Sequence, residues 1–208
     1  MKTWRRSLLL LTVTSALLLT GCTGGGSSAK SKLEAAQSVY RTMSGCTAQA
    51  EITADYGQRV YGYTVDLTVQ GGSGVMTVKE PENLAGTVLT WSDGETKLAF
   101  DGTELDTGAL SNSGLSPADA MPTILTACQG GEIVDCCMEE QESAQVLHGT
   151  LDLDGDQGGQ IQCWFQPDSY GLLRAELSQD GVTVVTMKFS DFSFTFPEGG
   201  VEDSGGSQ

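Results

Sequence analysis

The sequence predicts a mainly β protein with two short helices. Its antiparallel sheet of about eleven strands should curl into an incomplete barrel with a helical lid. Three observations predict it. Segments alternating polar and apolar residues recur at short intervals, turns rich in Gly, Asn and Asp separate them, and only two segments carry helical spacing. Two short helices cannot cover so large a sheet if it stays flat, so it should curl and the helices should plug its open side.

Taken in order, the first helix is predicted over 31–43, where Leu33, Ala36, Tyr40 and Met43 fall on one stripe and Gly45 stops the run. Alternation follows. Cys46, Ala48, Ala50, Ile52, Ala54 and Tyr56 share one face of a strand, and after the Gly57-Gln58 turn Tyr61, Tyr63, Val65, Leu67 and Val69 share one face of the next. The glycine-rich turn at 71–74 precedes a strand at 75–80, and Pro81-Glu82-Asn83 precedes one at 84–91. Ser92-Asp93-Gly94-Glu95 is a hairpin signal before 96–100, and Asp101-Gly102 turns into 103–106. The second helix should open on a capping Ser116 with Pro117 at its first position and Asp119 in its first turn. It should run to about Cys128 and stop at Gly130-Gly131. Strands resume at 132–139, 144–153, 160–166, 172–178 and 182–196, joined through Asp154-Gly155-Asp156, Pro167-Asp168 and Asp180-Gly181. The region 31–197 reads as one domain. The tail 198–208, rich in Gly, Ser and acid, reads as disordered.

The amino terminus reads as an export signal at 1–21: basic Lys2, Arg5 and Arg6, an apolar stretch at 8–19, then small residues ending in Leu19-Thr20-Gly21-Cys22. The stretch is short of the ~20 apolar residues that a bilayer core requires. The final four residues resemble the bacterial lipobox. That resemblance implies cleavage between Gly21 and Cys22 and thioether-linked diacylglycerol, with further acylation such as palmitate, on Cys22. Each buried methylene contributes ~0.8 kcal/mol, so two or three chains hold a protein firmly. The expected address is the extracytoplasmic face of the cell membrane, with the 22–30 segment as a flexible Gly/Ser tether.

Cleavage removes 21 of 208 residues and leaves 187, enough for a real core. It also removes three basic residues, leaving 8 against 27 acidic ones, a net charge of −19. That balance excludes a phosphate-binding footprint, so no nucleic-acid partner is expected. Anionic headgroups repel such a body, which leaves the anchor as the membrane contact.

Cys46, Cys128, Cys136, Cys137 and Cys163 make an odd set beyond Cys22, so at least one should be unpaired within the chain. No Cys-x-x-Cys occurs, which weakens a zinc-ribbon or thioredoxin-like reading, and buried small hydrophobes are the default role. His148 is the one histidine, so any Ser-His-Asp or Cys-His device must use it, and no catalytic residue is assigned. In Asp152-Leu153-Asp154-Gly155-Asp156 the Gly stands fourth and Cys163 twelfth. A calcium loop needs Gly sixth and Glu twelfth, so a tight turn is the better account and no metal is assigned. No Gly-x-x-x-x-Gly-Lys sequence occurs, and no cofactor is expected. Trp91, Trp164, Tyr61, Tyr63, Phe100 and Phe165 read as core or as the lining of an apolar cavity.

The element order, with certain local stretches, resembles the LolA-like lipoprotein-carrier family and its membrane-anchored Gram-positive relatives. The stretch from Gly74 through Glu80-Pro81-Glu82-Asn83-Leu84 is similar to the family's strand, proline and short turn. The stretch Ser92-Asp93-Gly94-Glu95-Thr96-Lys97-Leu98-Ala99-Phe100-Asp101 is similar to its Asp-Gly hairpin with aromatic strand. The helix from Ser116 sits where the family has its mid-chain helix, and Phe196-Pro197-Glu198-Gly199 resembles its closing corner. The resemblance implies an unclosed barrel that is no enzyme and whose concave apolar face holds acyl chains. Candidates to line that cavity are Tyr61, Tyr63, Val65, Leu67, Met76, Val78, Leu89, Trp91 and Phe100. Family carriers place an arginine near the lid; Arg59 is the only arginine of the early hairpin, and that role is not carried over to it. Soluble carriers shuttle, whereas this chain keeps an anchor, which favours a tethered acceptor, a lipid-binding sensor or a scaffold. Lipoproteins of this kind in spore formers are linked to germination through envelope partners.

Overall fold

A computed structural model describes residues 25–109, 115–152 and 159–197. The proposed lipidation site Cys22, the cleavage position Gly21, the Asp154-Gly155-Asp156 turn and the acidic tail lie outside the described residues. The elements run α1 (Gly25–Thr42), β1 (Gly45–Asp55), β2 (Val60–Gln70), β3 (Ser73–Glu80), β4 (Val88–Ser92), β5 (Glu95–Phe100), β6 (Thr103–Ala109), α2 (Pro117–Gly130), β7 (Glu132–Gln141), β8 (Ala144–Asp152), β9 (Gly159–Phe165), β10 (Leu172–Gln179) and β11 (Val182–Thr195).

All eleven strands form one antiparallel sheet in the order β6-β5-β4-β3-β2-β1-β11-β10-β9-β8-β7. Two meanders are joined where β1 pairs with β11, so the chain's first and last strands lie at the centre. β6 and β7 end the order without pairing to each other, so the sheet does not close into a barrel. Both helices pack on one face, called inner below: α1 over β7 and β8, α2 against β1, β8 and α1.

The stripe that predicts α1 is the one it buries. Ala29, Leu33, Ala36 and Tyr40 are at most 1% exposed, and Met43 is half-buried just past the helix end. The helix begins at Gly25, six residues earlier than the spacing predicts, and so takes up two-thirds of the expected tether. Packing of Ala29 into the core extends the helix through a stretch whose own propensity is low. β8 admits α1 closely at Gly149, where a Cβ would come within 2.6 Å of Leu33. Gln37 donates to the Gly131 carbonyl (2.8 Å), Arg41 to Gln129 (2.9 Å), and the Tyr40 hydroxyl to Tyr170 (3.1 Å).

α2 carries the expected cap: the Ser116 hydroxyl accepts from the Asp119 amide (3.2 Å) and donates to its carboxylate (2.7 Å). Ala120, Met121, Thr123, Ile124, Leu125, Ala127 and Cys128 are all buried, a stripe of just over half the circumference that seats α2 in the trough, while Thr126 and Gln129 stay exposed.

β4, β6 and β11 depart from expectation, β6 by running on to Ala109. β4 begins at Val88, because residues 82–84 form one 3-10 turn closed by Thr87, whose hydroxyl donates to the Leu84 carbonyl (2.7 Å), and Gly86 sits at φ +85. β11 carries a bulge at Asp191 (φ +52), where Asp191 and Phe192 together face Ala48 alone on β1. The bulge moves Phe192 and Phe194 onto the face already holding Val185, Met187 and Phe189. Phe192 and Phe194 close around Tyr40, with ring centroids 6.2 and 5.1 Å away.

Candidate functional site

Register places one apolar stripe across the inner face of the first meander. Ala48 pairs with Leu67, Leu67 with Met76, Met76 with Leu89, Leu89 with Leu98, and Leu98 with Leu105. Cover is lost along it: Leu67 is 2% exposed, Met76 4%, Leu89 7%, Leu98 is half-buried and Leu105 is 59% exposed. A parallel row runs from Cys46 through Val69, Gly74 and Trp91 to Thr96. Gly74 exists there for a packing reason, since a Cβ would run into the Trp91 ring.

At the end of that second row lies a groove of about 370 Å³ between the sheet and α2. Trp91 and Val69 face Pro122, Leu125, Thr126 and Gln129 of α2, with Met43 and the Gly71-Gly72 turn at the mouth. The volume is at the low end of the ~300–1,000 Å³ usual for small-ligand sites.

The nine residues expected to line a cavity share the inner face of the sheet. Val65, Leu67, Met76, Leu89 and Trp91 are buried; Tyr63 and Val78 are half-buried; Tyr61 and Phe100 are 39% and 41% exposed. Trp91 alone of the nine lines the groove. The hairpin end of β2 is aromatic: Tyr56 and Tyr61 meet edge to face at 6.1 Å, and the Tyr56 hydroxyl donates to the Leu115 carbonyl (2.9 Å). The α2 side of the groove was not legible from the sequence. Pro122, Leu125, Thr126 and Gln129 signal nothing beyond helical spacing, and only docking in the trough turns that face toward Trp91.

His148 emerges on the opposite, outer face. Its Nδ1 lies 2.7 Å from Glu139 Oε1 and 3.8 Å from Cys137 Sγ, while Nε2 faces Gln162 Oε1 at 3.1 Å. A nucleophile–histidine–acid device needs nucleophile and acid on different ring nitrogens. Here both meet Nδ1. Burial, then the Glu139 charge, pushes the Cys137 thiol up, the reverse of an activated nucleophile. Nothing in the sequence links Cys137, Glu139 and His148. Only the Cys137–His148 strand pairing brings them together. Among the described residues, no helix is long and apolar enough to cross a membrane.

No family model matches the sequence, and no curated protein does. Among solved structures, the chain is similar to the lipoprotein LppX from Mycobacterium tuberculosis, at 12% identity and TM-score 0.48, covering 82% of this chain and 97% of that one. It is similar to a LolA superfamily protein from Nitrosomonas europaea, at 11% identity and TM-score 0.41, covering 79% and 92%. It is also similar to a chain in the structure of the CwlD amidase from Clostridioides difficile in complex with the GerS lipoprotein, at 15% identity and TM-score 0.41, covering 79% and 94%. The described residues themselves form eleven antiparallel strands, open between β6 and β7 and lidded by two helices, an incomplete half-barrel.

Proposed function

We propose that the protein is a membrane-anchored, extracytoplasmic lipoprotein that holds an apolar chain, an acyl chain or another hydrophobic ligand, on the inner face of β2–β6. The observation that carries this reading is the stripe from Ala48 to Leu105, continuous in register over six strands and losing its cover toward β6. An apolar row that runs out into solvent marks a binding surface more often than a core. Because α2 fills the trough, the remaining groove suits one chain rather than several. The acyl group on Cys22 would keep the domain at the membrane where such chains are handed over. Native mass spectrometry of the protein extracted from bacterial membranes should show copurified lipid, lost on Leu98→Glu. Repeated extraction without lipid would sink the reading.

A second reading, a scaffold for a cell-envelope or germination enzyme, is favoured by a different observation. β7 ends the sheet with one neighbour only, and its Val134 is 57% exposed. Envelope crosslinking should then return a single partner whose capture Val134→Pro abolishes. No catalytic role is proposed under either reading.

A further inference from the structure

The outer face of the second meander carries a three-donor cluster that neither reading uses. Cys137 and Glu139 stand two residues apart on β7 and so point the same way, and β8 brings His148 opposite Cys137. Their donor atoms converge: Cys137 Sγ lies 3.7 Å from Glu139 Oε1 and 3.8 Å from His148 Nδ1, and that oxygen and nitrogen are 2.7 Å apart.

The surroundings aim these atoms at one point. Trp164 Nε1 donates to Glu139 Oε2 (3.0 Å) and Gln141 Nε2 donates to the same oxygen (3.1 Å), which leaves Oε1 turned toward the histidine and the thiol. Gln162 Oε1 lies 3.1 Å from His148 Nε2, where it accepts the Nε2 proton and leaves the Nδ1 lone pair for a cation. The imidazole lies flat on the Trp164 indole, centroids 4.5 Å apart and planes 1° from parallel, and Arg174 covers the other side of that indole at 5.0 Å. Arg174 is itself paired with Glu176. The His148 side chain is 16% exposed and that of Glu139 34%, while Cys137 is exposed, so the cluster is held from behind and open in front.

We propose that Cys137, Glu139 and His148 form a binding site for a borderline-soft divalent cation of the zinc class, with three protein donors and a fourth position facing solvent. Bond lengths of about 2.0–2.3 Å in a tetrahedral site put ligand atoms roughly 3.3–3.8 Å apart. The two sulfur separations already meet that. The Glu139–His148 pair widens by roughly half an ångström as the cation replaces the hydrogen between them. A thiolate–imidazole–carboxylate set selects zinc-like ions over magnesium and calcium, which take oxygen donors. Binding displaces two protons to solvent, that of the Cys137 thiol and the one shared by Glu139 and His148, as metal bonds form to the sulfur, the oxygen and the nitrogen.

The test is titration of the full chain, purified in detergent and kept reduced, with Co²⁺ alone. A thiolate-to-cobalt charge-transfer band should saturate at one equivalent and be displaced by Zn²⁺ but not by Mg²⁺. Cys137→Ser should abolish the band, and His148→Gln should weaken affinity at least ~10-fold. Trp164→Phe, which removes the indole donor to Glu139 and keeps an aromatic ring beside His148, should weaken it by ~10–100-fold. Cys136→Ser, on the neighbouring residue, should change nothing. Absence of the band at stoichiometric cobalt, or a band that survives Cys137→Ser in a chain with an unchanged melting curve, overturns the proposal.

Discussion

The sulfurs of Cys128 on α2 and Cys163 on β9 lie 3.9 Å apart in the core. With Cys46 they form the buried thiols, and burial pushes the Cys46 thiol from an ordinary 9.0 up to about 11. Each behaves as a small apolar side chain that seats the lid helix on the sheet.

Alkylation should therefore be ordered. In the native protein, Cys137 is expected to react first and Cys136 next, with Cys46, Cys128 and Cys163 reacting only after denaturant is added. Tryptic mass mapping over time reads the order directly. Early modification of Cys128 would show that α2 lifts away from the sheet in solution.

The same burial has a pH consequence. Because the folded-state value of Cys46 is raised, the unfolded chain loses its thiol proton first as pH rises, and ionisation then favours unfolding. The contribution is fully present below pH 9 and is lost between about 9 and 11. Cys128 and Tyr40, both raised by burial first, add to the same slope. Urea midpoints from pH 7 to 11 should fall across that window, and less steeply in Cys46→Ala.

Gly149 and Leu33 should behave as a coupled pair. Gly149→Ala pushes a methyl into Leu33 and is expected to cost about 1–3 kcal/mol, whereas Leu33→Ala leaves a cavity costing about 2–5 kcal/mol. In the double variant the added methyl has room, so its cost should fall well short of the sum. A denaturation cycle giving strict additivity would contradict the close approach of α1 to β8.

Gly74→Ala tests the groove. The new Cβ must displace the Trp91 ring toward Pro122 and Leu125, costing about 1–3 kcal/mol and narrowing the space between sheet and α2. Trp91 fluorescence should shift, and a fluorescent fatty acid should bind at least ~10-fold more weakly. Leu105→Ser, at the open end, should weaken binding with little change in melting temperature.

Period-two patterning placed every strand, because one face of the sheet is buried and a one-residue slip would expose it. Where the sequence misled, a local signal was outvoted. The glycines and serines ahead of Lys30 read as tether, yet Ala29 has a core to dock into. The phase change between Phe189 and Phe192 was the legible trace of the Asp191 bulge, since Phe192, Phe194 and Phe196 alternate out of step with Val185, Met187 and Phe189. The groove and the Cys137–Glu139–His148 cluster were not legible, because both depend on which strands become neighbours. Composition alone does not carry that information.

The early start of α1 bears on how close to the bilayer the domain would sit. Only Thr23 and Gly24 separate Cys22 from the first helical residue, Gly25, so an acylated Cys22 would leave a leash of about 10 Å at full stretch. On so short a leash, stand-off and tilt would be governed by α1 itself, and α1 is fastened to β8 and α2. The half-barrel would be mounted on the membrane rather than moored to it, with the same flank always turned toward the lipid.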